Sequence, residues 1–162
     1  MSRPPTLSSN TSSIDLENIK NVSNFVRDIL TKSEKEAERI IGEGKKDEEG
    51  EAKKTTISSY RRVHEIVLSA LEEVERGKNP SSAITALTKS LILVKYQKAR
   101  GLLLGQLPQY IEQILSKVLE CMQEASEGQG DKIHKCREMA KNGKMILDAL
   151  AVLVYQYGGK KG

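Results

Sequence analysis

Apolar residues in this chain recur at the three-to-four-residue spacing of helix faces, and no stretch alternates as a half-buried strand would. Ile19, Val22, Val26, Ile29, Leu30, Ala37, Ile40 and Ile41 form one stripe, with Asp15 as cap and Gly42 and Gly44 as its end. Tyr60, Val63, Val67, Ala70, Leu71 and Val74 form a second, opened by Thr56 or Ser58 as N-cap. The third runs from Ala83 to Leu104, with Asn79 as N-cap, Pro80 in the first turn and Gly101 after its end. Ile84, Leu87, Leu91 and Val94 lie on one side of it, and Ile92, Leu93, Tyr96 and Ala99 fill the others. This predicts the buried central helix. A fourth, opened by Pro108, carries Ile111, Ile114, Leu115, Val118, Leu119 and Met122. The loop 126–130 precedes a fifth segment capped by Asp131, with Ile133, Cys136 and Met139 inside. Gly143 splits or bends it before the apolar run 145–157. The expected fold is all-α, a compact bundle of five helices, or six if the last segment divides.

The chain has 162 residues, the size of one domain. Residues 1–13 read as a Pro/Ser-rich flexible tail, 14–162 as one helical domain, and 43–54 as a charged, solvated linker. Aromatic residues make up only 4 % and Trp is absent, so the core must be aliphatic. Cys121 and Cys136 form no closely spaced pair and read as reduced core thiols of a cytoplasmic protein. No secretory leader pattern is present, and no uncharged apolar run is long enough to span a membrane.

The net charge of +4 says little, but its distribution says more. Residues 34–51 hold eight acids against four bases, whereas residues 79–111 contain no Asp or Glu. The third helix therefore presents Lys89, Lys95, Lys98 and Arg100 without local counter-charge, which points to a polyanionic partner; lysines that snorkel from a core helix for solubility would give the same pattern. Arg61 and Arg62 stand in the first turn of the second helix, with Lys53 and Lys54 upstream. A helix N-terminus carries partial positive charge and disfavours cations, by a few tenths of a kcal/mol each or more. The same free N–H groups beside two guanidinium forks suit phosphate. Pairing of either arginine with Glu65 or with the acidic linker is the ordinary alternative.

Other chemistry finds little footing. Cys121, His134 and Cys136 match no closed zinc spacing. No nucleophile–base pair stands out, and Gly101 and Gly105 lack the Lys-Ser/Thr of a phosphate loop. Tyr155 and Tyr157 could stack on bases, although tyrosines at a helix end are more often half-buried core. The residues thus suggest no enzyme, no metal and no cofactor.

Three segments together resemble the small helical subunit of type III-A CRISPR effector complexes. They are TTISSYRR at 55–62, LILVKYQKARG at 91–101 and DALAVLVYQYGGKKG at 148–162. The chain departs from the family's pattern at Ser59, where Gln is frequent, and at Gln156, where His is. The resemblance implies a non-catalytic scaffold for antiviral defence that contacts the guide RNA and target RNA through phosphates. It also implies packing beside other subunits of the complex and copies of itself. Arg61, Arg62 and Arg100 match basic motif positions; Lys54, Lys95 and Lys98 come from the charge argument alone. A helical protein–protein adaptor that docks through the apolar loop 102–107 is the competing expectation, and double-stranded DNA binding through the second helix a third.

Overall fold

The computed structural model describes residues 13–46 and 52–159; most of the expected tail and the middle of the expected linker lie outside them. The helices are α1 (Ile19–Leu30), α2 (Glu34–Ile41), α3 (Ile57–Arg76), α4 (Pro80–Ala99), α5 (Leu107–Ser126) and α6 (Ile133–Tyr157). The fold is all-α, with one small antiparallel pair, β1 (Gly42–Lys46) and β2 (Ala52–Lys54), in which Gly42 faces Lys54. Part of the expected solvated linker is therefore a hairpin. It closes the α2 end of the bundle, where the Thr55 N–H donates to the Ile41 carbonyl at 2.7 Å.

Helices α3 to α6 form an antiparallel four-helix bundle in which each packs on the next and α6 returns to α3. The predicted α3 stripe, Tyr60 to Val74, is buried in full. Tyr60 can sit there because its hydroxyl donates to the Leu147 carbonyl at 2.8 Å. The central helix is α6, not α4. It packs against α1, α2, α3 and α5, and buries Cys136, Met139, Ile146, Leu147, Leu150, Leu153 and Val154. Helix α4 touches only α3 and α5 among the long helices and leaves Ile92 and Tyr96 mostly in solvent.

Gly143 does not split α6. A Cβ there would lie 2.7 Å from Ile114 Cγ2, so the missing side chain lets α5 and α6 approach. The first predicted stripe is likewise two helices. Thr31 ends α1 by turning its hydroxyl onto the Arg27 and Asp28 carbonyls, and Ser33 with Glu36 forms a capping box that starts α2. Asn18, not Asp15, caps α1, and Asp131 caps nothing: a short 3-10 turn, Gly130–Lys132, leads into α6. The strand-free segment before α1 is sewn down. Buried Asn142 donates to the Leu16 carbonyl at 2.8 Å, the Ile14 N–H donates to Gln113 Oε1 at 2.8 Å, and Lys117 donates to the Ile14 carbonyl.

Cys121 and Cys136 are not free thiols but a disulfide. The turn between α5 and α6 brings their Cα atoms to 5.6 Å, within bridging distance, a proximity that their sequence spacing of 15 did not reveal. Closing a loop of that length stabilises a fold by about 3 kcal/mol through the unfolded chain. Reduction should therefore lower the urea midpoint by the equivalent of about 3 kcal/mol or less, and the Cys121→Ser/Cys136→Ala variant should melt alike with and without reductant. Gly143→Ala should destabilise despite a gain of about 1 kcal/mol in helix propensity, because overpacking costs about 1–3 kcal/mol. Adding Ile114→Leu, which removes the obstructing Cγ2, should recover part of the loss in a denaturant titration.

Candidate nucleic-acid interface

The up-and-down topology places the start of α3, the end of α4 and the end of α6 at one pole of the bundle. The Leu104 N–H donates to the buried Thr55 hydroxyl at 2.9 Å, and the Ile57 N–H to the Gly159 carbonyl at 3.0 Å. Lys53 Nζ lies 3.9 Å from where a Cβ on Gly101 would stand. Gly101 has φ +76°, the left-handed conformation that ends α4 and turns the chain back. All six predicted cations, Lys54, Arg61, Arg62, Lys95, Lys98 and Arg100, belong to this pole, joined by Lys53.

They are not equivalent. Lys54 leans between Glu34 and Glu38, at 3.9 and 3.8 Å, and its side chain is only 20 % exposed; it holds β2 to α2. Lys95 pairs with Glu112 of α5 at 3.3 Å, and its exposure makes that a weak restraint. Arg61, which with Arg62 falls in the second turn of α3 and not the first, donates through Nε and Nη2 to the Tyr155 hydroxyl at 3.2 and 3.0 Å, which ties the guanidinium to α6 across the α3–α6 seam. The guanidinium of Arg100 lies over the Tyr96 ring, 5.5 Å from its centroid. Among the described residues, Arg61, Arg62, Lys98 and Arg100 have no ion pair with any carboxylate. Of the acids of α3, Glu65 acts on Arg61 through space without a close ion pair, and Glu72 and Glu75, near the far end, hold Lys144.

Two aromatic partners were not predicted as such. Tyr96 was expected inside a central helix and is exposed; Tyr155, read as half-buried, is 51 % exposed, and its contact with Arg61 was not foreseen. Their cation partners lie 4 and 94 residues away. The nearer pair was legible as i,i+4 spacing, whereas the farther one required the α3–α6 pairing. The apolar loop 102–107 is mostly inside: Leu103, Leu104 and Leu107 are buried, so it offers no docking surface.

Comparison with family models, curated proteins and solved structures finds no match to this chain. Among the described residues no cluster of His, Cys, Asp and Glu could hold a metal ion, and no helix is long and apolar enough to cross a membrane.

Next to the pole, His64 Nε2 lies 3.4 Å from Asp148, while its Nδ1 is buried without a hydrogen-bond partner among the described residues. Protonation would put a second N–H on that unpartnered atom. Burial accordingly pushes the His64 pKa below the ordinary value, and the Asp148 and Glu65 carboxylates offset this only in part. The unfolded chain thus binds the proton more readily than the folded one. Stability from this residue is full above the ordinary histidine pKa and declines as pH falls through it. Melting temperature should drop between about pH 7 and 5, and His64→Gln should flatten that slope while lowering the plateau.

Proposed function

We propose that this chain is a non-catalytic RNA-binding scaffold subunit of a type III CRISPR ribonucleoprotein effector complex, acting in antiviral defence. Its basic pole contacts the sugar–phosphate backbone of guide and target RNA. The observation that carries the reading is the meeting of the three resembling segments. Residues 55–62, 91–101 and 148–159 are distant in sequence, yet they converge on one pole, where four cations lack carboxylate partners among the described residues. Arg61 and Arg62 lie in the second turn of α3, just past a helix start whose free N–H groups favour a phosphate. Such contacts position a strand without reading its bases. Packing beside other subunits and copies of the chain belongs to the same proposal, as does location in the cytoplasm. The disulfide pulls against that location, since cystines are rare in reducing compartments.

The adaptor reading loses its docking loop to the core. Double-stranded DNA remains a competitor, and titrating RNA against DNA duplex separates the two. Filter binding of single-stranded and duplex RNA at two salt concentrations should show affinity falling steeply with salt. Arg61→Glu/Arg62→Glu should lower RNA affinity on the order of a hundredfold and leave the melting temperature nearly unchanged. The same variant should flatten the salt slope by about 0.7–0.9 for each phosphate no longer neutralised. Retention of RNA by this variant at moderate salt would remove the assignment of the pole. RNA recovered with the tagged chain from its own cells should be CRISPR-derived; RNA of mixed origin would remove the complex while sparing RNA binding.

A further inference from the structure

Helix α4 carries its polarity partly inside out. Ser90 and Gln97 are buried on the face it turns to the bundle, and Ser90 Oγ and Gln97 Oε1 have no hydrogen-bond partner among the described residues. On the opposite side Ile92 is 63 % exposed and Tyr96 58 %. A surface helix ordinarily does the reverse, and nothing in the described packing returns the cost. A local rule broken without structural gain marks a surface shaped for something else.

The rotation of the helices locates this surface. Successive residues turn by about 100°. Lys95 points to α5, through Glu112, so Arg100, Lys89 and Tyr96 lie round the other way, towards α3, while Ile92 points straight out, opposite the buried face. Arg61 points to α6, through Tyr155, so Arg62 and the exposed Ile66 face the α4 side of α3. Ile66 therefore lies at the seam between α3 and α4, Arg62, Lys89 and Arg100 stand along it, and Tyr96 and then Ile92 form the outer shoulder of a shallow groove. The groove begins at the basic pole and runs down α4 through the acid-free stretch.

We infer that this groove takes a single-stranded length of RNA, with an unpaired base stacked on the Tyr96 ring and its flanking phosphates on Arg62, Lys89 and Arg100. The inference rests on the RNA-binding reading and adds a base contact to it. The ring already stacks with one planar cation, Arg100, and stays more than half exposed to receive a second planar group. Aromatic rings interleaved with cations form the platform on which single strands stack without regard to sequence. A second copy of the chain fits poorly: across a two-fold axis the same patch meets itself and sets Arg62, Lys89 and Arg100 against their own kind.

The test compares a labelled oligouridylate of about 12 nucleotides with an abasic strand of equal length, by fluorescence anisotropy. The wild-type chain should prefer the oligouridylate. Tyr96→Ala should weaken oligouridylate binding on the order of tenfold, leave the abasic strand unaffected and keep the melting temperature; Tyr96→Phe should bind as wild type. If Tyr96→Ala binds both strands as wild type while Arg62→Glu loses both, stacking is overturned and phosphate binding stands. If the wild-type chain binds neither strand at low salt, the RNA reading falls and this inference with it. Self-association abolished by Ile92→Asp with RNA affinity unchanged would assign the groove to a second copy and overturn the proposal.

Discussion

The fold depends on the burial of one helix. Helix α6 is covered by α3, α5, α1 and α2, and its apolar side chains reach the same core from several directions. Each fully buried Leu, Ile or Val contributes about 1.5–3 kcal/mol relative to exposure, so the sum on α6 outweighs any single cap or ion pair in the molecule. Two details make this burial possible. Gly143 allows α5 to close on α6, and the Tyr60 hydroxyl finds the Leu147 carbonyl where α3 crosses it. With α6 covered by α3, α5, α1 and α2, the start of α3 and the ends of α4 and α6 fall at one pole.

Much of this was legible in the residues, and the exceptions share a cause. The stripe of α3, the Asn79 cap, Pro80 and the left-handed Gly101 are local features, and the structure keeps each of them. The misreadings arose where burial depends on a partner. An apolar residue at position 92 or 96 reads the same whether a neighbour covers it or not. The apolarity of 145–157 marked a second buried helix or a continuation, but not that four elements would enclose it, so α4 was placed at the centre. The cystine shows the same limit, because the spacing of Cys121 and Cys136 is uninformative until the α5–α6 turn is known. Short polar signals were underweighted too: Thr31 and Ser33 break one apolar stripe into two helices by hydrogen bonds that hydrophobic periodicity does not register.

The candidate site was legible as a set of residues but not as a set of roles. Lys54 and Arg62 look alike in the chain. One is a strut between β2 and α2, and the other projects from α3 with no ion pair among the described residues. Lys95 is intermediate, paired yet exposed. The tyrosines that orient Arg61 and stack with Arg100 were visible, but their value lay in contacts only the packing supplies.

The cations of the pole also differ in how much they say about a ligand. Lys98 and Arg100 stand at the C-terminal end of α4, where the helix dipole favours positive charge, so helix stability alone accounts for them. Arg61 and Arg62 stand in the second turn of α3, beyond the first turn where the dipole would oppose them, so the helix itself gives no reason for their charge. Arg61 has the Tyr155 hydroxyl as a hydrogen-bond partner. Arg62 has neither dipole, ion pair nor hydrogen bond among the described residues to explain it. A cation with no partner in the fold is the one freest to meet an anion, and this one lies between the pole and the α3–α4 groove. On the proposed reading a strand bound at both would pass it, and Arg62 would then couple phosphate binding at the pole to a base contact along α4.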